Sequence, residues 1–187
     1  MNTVAFPKIE TERLILRAFT IADSSEVQRM AGKVEIASNT LAMPFPYHDG
    51  MAEAWISTHQ QEFEDHKSVI LAIELKSQHI LAGAIGLSLQ FPYNNAELGY
   101  WIGQEYWGKG YCTEAVKAMI EFGFQHMKLH KIYANYFHNN PASGRVMEKA
   151  GMKYEATLKS HLLHWGEYKD LICYGIWNKQ DELNIKY

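Results

Sequence analysis

The sequence predicts an α/β fold of the mixed, α+β kind: a strongly twisted central sheet of about seven strands with helices on both faces. Three observations predict it. About seven short segments carry the apolar patterning of strands, and four carry that of helices. Three of the strands follow one another with only turns between them, so that stretch is antiparallel. A later strand–helix–strand unit needs a crossover and forces at least one parallel pair. Hydrophobic residues make up 47% of the 187, enough for a sizeable core without disulfide staples. At roughly 150 residues per domain, a single domain over 1–187 is expected.

The elements follow in order. Arg13–Phe19 (RLILRAF) alternates and reads as a strand. Ala22–Gly32 reads as a helix, with Asp23 near its start as a cap. Residues 34–49 are irregular and carry Pro44 and Pro46. In Gly50–Asp65 the positions Ala52, Trp55, Ile56, His59 and Phe63 follow helical spacing, with His59 the weak member. Val69–Leu75 and Ile80–Leu89 form a hairpin around 76–79, and a turn at Phe91–Asn95 leads into the strand Ala96–Ile102 (AELGYWI). Gly103–Tyr111 is a short glycine-rich loop. Thr113–Met127 is the clearest helix: Glu114, Lys117, Glu121, Gln125 and Lys128 form a polar stripe opposite Ala115, Val116, Met119, Phe122 and Met127. Lys131–Phe137 is a strand. Asn140–Ala150 is a short helix closed by Gly151, a position that favours left-handed backbone. Tyr154–His164 and Tyr168–Trp177 are the last two strands.

Composition narrows the functional classes. With 18 Lys and Arg against 21 Asp and Glu the net charge is −3, which argues against a protein that coats nucleic acid, because phosphate binding needs a surplus of cations. The 5 Trp, 11 Tyr and 8 Phe suit a sheet-rich core or a ring-lined groove. No apolar run reaches the ~20 residues of a membrane span. The start, MNTVAFPKIETERL, lacks a basic segment followed by an apolar one, so no secretory signal is expected. Cys112 and Cys173 are too few and too far apart for a disulfide framework; free thiols point to the cytoplasm. His126 and His130 are four apart but straddle the end of the long helix with no third ligand nearby, so no metal is expected.

The strongest local feature is the unit strand–GQEYWGKGYCTEA–helix. Gly108 and Gly110 permit positive φ and close backbone approach. The first N–H groups of a helix point outward unpaired, and its dipole adds partial positive charge, which together cradle phosphate. Lys109 adds a point charge. An ordinary tight turn capped by Thr113 would also explain these residues. A dinucleotide site would want a third glycine and a strand–helix–strand start, and a P-loop would want Gly-Lys-Ser/Thr; neither is present. The second feature is Asn140-Pro141-Ala142-Ser143 after a strand. Capping explains Asn140 and Pro141 and leaves Ser143 over.

Together, AELGYWIGQEYWGKGYCTEAV, a strand, and NNPASGRVMEKAGM resemble the GNAT superfamily of acetyl-CoA-dependent N-acetyltransferases. TERLILRAFTIAD and TLAMPFPYHDGMAEAWI resemble its ribosomal-protein N-terminal (RimJ/RimL-like) branch. The likeness runs over nearly the whole chain. The family pattern is Arg or Gln, two residues, Gly, one residue, Gly or Ala; here Glu105 takes the first place, which puts a side-chain role for that position in doubt. The resemblance implies that the backbone of Tyr106–Cys112, with Trp107, Gly108, Lys109, Gly110, Tyr111, Cys112 and Thr113 about the loop, holds the pyrophosphate. It implies that the strand edge at Trp101 and Ile102 pairs with the pantetheine amides, as an added strand does, and that Asn140 contacts the pantetheine arm.

Acetyl transfer to an amine needs a neutral amine, an oxyanion stabiliser and a proton for the departing sulfur. Glu97 is the candidate base: alternation puts it on one face with Gly99 and Trp101, and Gly99 leaves room beside it. A rim carboxylate paired with a lysine is the plainer alternative. Ser143 is the candidate proton donor by resemblance, on a helix with no tyrosine. Tyr133 and Tyr136 read as packing. Cys112 lies at a helix N-terminus, which lowers a thiol pKa, but has no base beside it in sequence. The expected function is N-acetyl transfer to a primary amine, with a ribosomal or other protein N-terminus as candidate acceptor and Thr40–Tyr47 helping to form its pocket, in a monomer or homodimer, with no nucleic acid or membrane partner. The competing readings are a noncatalytic acyl-CoA-binding module and an acetyltransferase for a small-molecule amine.

Overall fold

The computed structural model describes residues 6–179. Eight strands form one sheet in the order β1-β2-β3-β4-β5-β6-β8-β7. They are β1 Ile9–Glu10, β2 Leu14–Arg17, β3 Ser68–Leu75, β4 Ile80–Gln90, β5 Asn95–Ile102, β6 Lys131–Phe137, β7 Lys153–His164 and β8 Glu167–Trp177. The helices are α1 Ser24–Ala31, α2 Val34–Ala37, α3 Met51–Glu64, α4 Tyr111–Gln125 and α5 Pro141–Lys149. All pairings are antiparallel except β5 with β6. The mixed sheet is therefore as expected, with the two-residue β1 added.

Burial follows position in the sheet. β3 is central and covered on both faces, so SVILAIEL is almost continuously apolar. Its alternate residues divide between two cores. Val69, Leu71 and Ile73 join α4, with Met119 and Val116, on one face; Ala72 joins α1 and α3, with Met30 and Ile56, on the other. β5 alternates, with Ala96, Leu98 and Ile102 buried.

Four local expectations change. Val34–Ala37, at the start of the stretch expected to be irregular, forms α2. β2 ends at Arg17, not Phe19, because the chain turns there: Thr20 N–H donates to Asp23 Oδ2 at 2.8 Å, and Arg17 Nη2 pairs with Asp23 Oδ1 at 2.9 Å. Asp23 is thus a buried partner of Arg17 rather than the cap of α1, and Arg17 also holds Glu74. α4 begins at Tyr111, with Gly110 as its left-handed N-cap. Thr113 lies inside the first turn and does not cap.

His59 is only 4% exposed, packed edge-on against Trp55 at 4.4 Å and against Phe19 at 5.4 Å, with neither ring nitrogen partnered. Burial pushes its pKa down to about 4 from 6.5. The unfolded chain therefore takes up this proton more readily, and stability is full above pH 6.5 and falls as the pH drops from 6.5 toward 4. The loss across that window is about 3 kcal/mol. His59→Leu should lose less thermal stability than wild type between about pH 7 and about pH 4.5. Equal losses on acid scans of both proteins would place the acid sensitivity elsewhere.

Candidate active site

The single parallel pairing opens the site. β5 and β6 are in register at Asn95↔Lys131, Ala96↔Ile132 and Glu97↔Tyr133, and there it stops. Beyond this point the strands diverge, while β5 stays paired to β4 as far as Ile102. Gly103 N–H donates to Ala82 O at 2.8 Å, which makes Ile102↔Gly83 a non-hydrogen-bonded pair. The main-chain groups of Leu98, Tyr100 and Ile102 therefore face the open side, and those of Trp101 are used against β4. This corrects the expectation that Trp101 shares the free edge with Ile102: its ring packs with the α1–α3 core instead. Ile102 O accepts Trp107 Nε1–H at 2.9 Å, closing the far end of the edge.

Glu97 stands at the root of this fork. Its Oε1 accepts Asn135 Nδ2–H at 2.9 Å, so its partner is an amide from β6 rather than a lysine. The pair lies in a small cleft of about 90 Å³ with Asn39, Leu41, Phe137, Leu162 and Leu171. Of the irregular segment 40–47, Leu41 reaches this cleft; Tyr47 packs with the α1–α3 core. A Cβ on Gly99 would meet nothing within 4 Å, so the space beside the carboxylate is open.

Ser143 approaches the fork from the other face. Asn140 caps α5, its Oδ1 accepting Ser143 N–H at 3.4 Å. The Ser143 hydroxyl lies 2.8 Å from the Tyr100 hydroxyl. Tyr136 packs on the next residue: a Cβ on Gly144 would lie 2.6 Å from its hydroxyl. Tyr136 thus packs on α5, where Gly144 admits it, and it also lines the Glu97 cleft.

The glycine loop is held from two sides. Arg13 donates to Lys109 O at 3.0 Å, pairs with Glu114 Oε2 at 2.7 Å and lies 4.8 Å over the Tyr111 ring. Arg29 holds Glu105 Oε1 at 2.5 Å, with Lys33 at 3.7 Å. Glu105 therefore has a side-chain role, in anchoring the loop to α1. Gly108 and Gly110 both have positive φ, 73° and 81°, and Gly108 has open space at its Cβ position. Lys109 Nζ is 5.7 Å over the Tyr106 ring. A larger cavity of about 370 Å³ lies beside Gly110 and carries both signs of charge, with Arg13, Lys117 and Lys149 beside Glu12 and Glu114. Sequence reasoning missed Arg13, Arg29, Asn135 and Tyr100. Only Arg13 and Tyr100 stood within quoted motifs, and nothing local marked them.

Cys112 departs from expectation in its acidity. A helix N-terminus lowers a thiol pKa, but burial pushes this one up to about 12. The thiol stays protonated. Among the described residues no group of three or more His, Cys, Asp or Glu side chains is placed to hold a metal ion. No helix among them is long and apolar enough to cross a membrane. The leader expectation rests partly on residues 1–5, which lie outside the described residues.

The sheet is thus split where β5 leaves β6, with a glycine loop opening α4 at one side and Glu97 at the root of the split. The chain belongs to the GNAT acetyltransferase family: the family model for the acetyltransferase (GNAT) domain matches residues 13–153. It is 30% identical over 174 residues to the uncharacterized N-acetyltransferase YnaD of Bacillus subtilis, covering 91% of this chain and 99% of that one. Over 73 residues, 39% of this chain and 38% of the other, it is 38% identical to the [ribosomal protein uS5]-alanine N-acetyltransferase of Escherichia coli. A GNAT-family acetyltransferase structure from Bacillus anthracis superposes with a TM-score of 0.82 at 29% identity, covering 91% of this chain and 98% of that one. The protein is an N-acetyltransferase of this family.

Proposed function

We propose that the protein transfers the acetyl group of acetyl-CoA to the α-amine of a peptide or protein N-terminus. The observation that carries this reading is the end of β5–β6 pairing at Glu97, which leaves a fork with Glu97 on one face and Ser143 on the other. The residues present fit acetyl-CoA. The Leu98 carbonyl, both main-chain groups of Tyr100 and the Ile102 N–H, past the last β5–β6 pair, offer a strand edge to the pantetheine amides. The backbone from Tyr106 to Cys112, with two positive-φ glycines and the unpaired N–H groups of the first turn, would hold the pyrophosphate. Bound there, acetyl-CoA supplies an activated thioester. Glu97 takes the amine proton as nitrogen bonds to the carbonyl carbon. Ser143 donates its hydroxyl hydrogen toward sulfur, which leaves with the electron pair of the broken C–S bond.

The acceptor cleft favours a monoamine. Glu97 is the one carboxylate among its lining residues, set with Asn39, Asn135 and Tyr136 beside Leu41, Phe137, Leu162 and Leu171, so the further ammonium groups of a polyamine would find no second anion there. An α-amine, with a pKa of about 8, is roughly one-tenth neutral near pH 7, against about one lysine in a few thousand. A single carboxylate therefore suffices as base. The 38% identity to a ribosomal-protein alanine acetyltransferase supports the same acceptor class. The free cysteines Cys112 and Cys173 accord with a cytoplasmic setting.

The test is thioester consumption with peptides of varied N-termini, free lysine and spermidine, with product mass spectra locating the acetyl group. Peptides beginning with a small residue should be the best acceptors, modified on the α-nitrogen. Acetylation of spermidine alone would replace this reading with a small-molecule one.

A further inference from the structure

Ser143 has one hydroxyl hydrogen, and where it points is decided by its neighbours. Tyr100 Oη lies 2.8 Å from Ser143 Oγ and 3.1 Å from Ser143 O. The shorter distance is the usual one for an O–H···O bond. If Tyr100 donates to Oγ, the serine hydrogen is released toward the fork. If Tyr100 donates only to the carbonyl, the serine hydrogen turns back onto the phenol oxygen. Tyr100 comes from β5, 43 residues away from Ser143, and its ring shares the core face with α4 and α5.

We infer that Tyr100 is a positioning residue for the transfer: its hydroxyl donates to Ser143 Oγ and so aims the serine hydrogen at the departing sulfur. Burial pushes the Tyr100 phenol well above its ordinary pKa, which keeps it a donor throughout the working range. Its titratable neighbours are Cys112 and Tyr136. Burial holds Cys112 protonated, and Tyr136 packs on Gly144. No proton leaves Tyr100. The C–S bond breaks with its electron pair on sulfur, Ser143 shares its hydrogen with that pair, and Tyr100 supports the charge gathering on Oγ. Two neutral donors in series polarise one another.

The inference rests on the proposed acetyl-CoA reaction, and the test separates the two. Tyr100→Phe, Ser143→Ala and the double variant are compared in kcat, in KM for acetyl-CoA, and in the pKa of the bound CoA thiol read by thiolate ultraviolet absorbance. Tyr100→Phe should lower kcat about tenfold, leave KM within about twofold, and raise the bound thiol pKa by about one unit, the loss of one charge-assisted hydrogen bond. The double variant should be no worse than Ser143→Ala alone. Losses that add in the double variant, or a fall in thermal midpoint with unchanged thiol pKa, would make Tyr100 structural and overturn the inference. Wild-type protein that lowers the CoA thiol pKa but acetylates no amine would overturn the proposed function, and a raised thiol pKa in Tyr100→Phe would then still support the aiming of the Ser143 hydrogen at sulfur. Failure of wild type to bind CoA would overturn both.

Discussion

Gly110→Val should weaken acetyl-CoA binding by more than tenfold in calorimetry while the protein still folds. Gly110 is the N-cap of α4 at φ 81°, on the exposed loop. A β-branched residue at positive φ is strained, so the loop would rotate to relieve it and take the first-turn N–H groups out of line. The added side chain would also press on Arg13, since even a bare Cβ there lies 3.4 Å from Arg13 Nη2. Arg13 holds Lys109 O and Glu114, so the loop would lose its clamp as well as its geometry. The core lies elsewhere, which is why the fold should survive. Lys109→Ala, removing only a screened surface charge, should cost much less and should depend on salt. An unchanged dissociation constant for folded Gly110→Val would remove the loop from the binding site.

Glu97→Gln should lower kcat/KM for an α-amine acceptor by about 10²-fold or more, the usual scale for loss of a general base. The amide keeps the shape and can still accept Asn135 Nδ2–H, a bond of 2.9 Å in the native side chain. What it lacks is basicity. The deficit should therefore shrink as pH rises toward the amine's own pKa of about 8, where neutral amine forms unaided. A merely structural Glu97 would instead give weaker acceptor binding or lower stability at every pH. Parallel pH profiles for the two proteins would exclude the base role and shift attention to a water held by backbone carbonyls. The cleft gives this experiment its force, because Glu97 is the one carboxylate among its lining residues.

Much of this was legible without coordinates. Alternation in AELGYWI placed Glu97, Gly99 and Trp101 opposite Leu98 and Ile102, and β5 has that burial pattern. Spacing in 113–127 marked the buried face of α4, where Ala115, Val116 and Met119 are indeed covered. Asn140-Pro141 announced the start of α5. These signals are local: a period, a cap or a turn is written within a few residues, and the chemistry of those residues suffices to read it.

The partners were not legible. Asn135 reaches Glu97 across 38 residues, Tyr100 reaches Ser143 across 43, and Arg13 reaches Glu114 across 101. No period in the chain encodes such pairs. They exist because packing β4 against β5, and α4 and α5 against the sheet, brings distant side chains to one place. The same holds for the Cys112 thiol. Position at a helix start predicts a lowered pKa, and the surrounding core reverses it, since desolvation is set by what other segments bury. The sequence by itself determined the longer elements, the faces they bury and the family to which the chain belongs, but not the short β1 and α2. The tertiary structure decided where β5 leaves β6, because strands part only where the packing beneath them and the register beside them allow it, and that parting is what makes a sheet into a site.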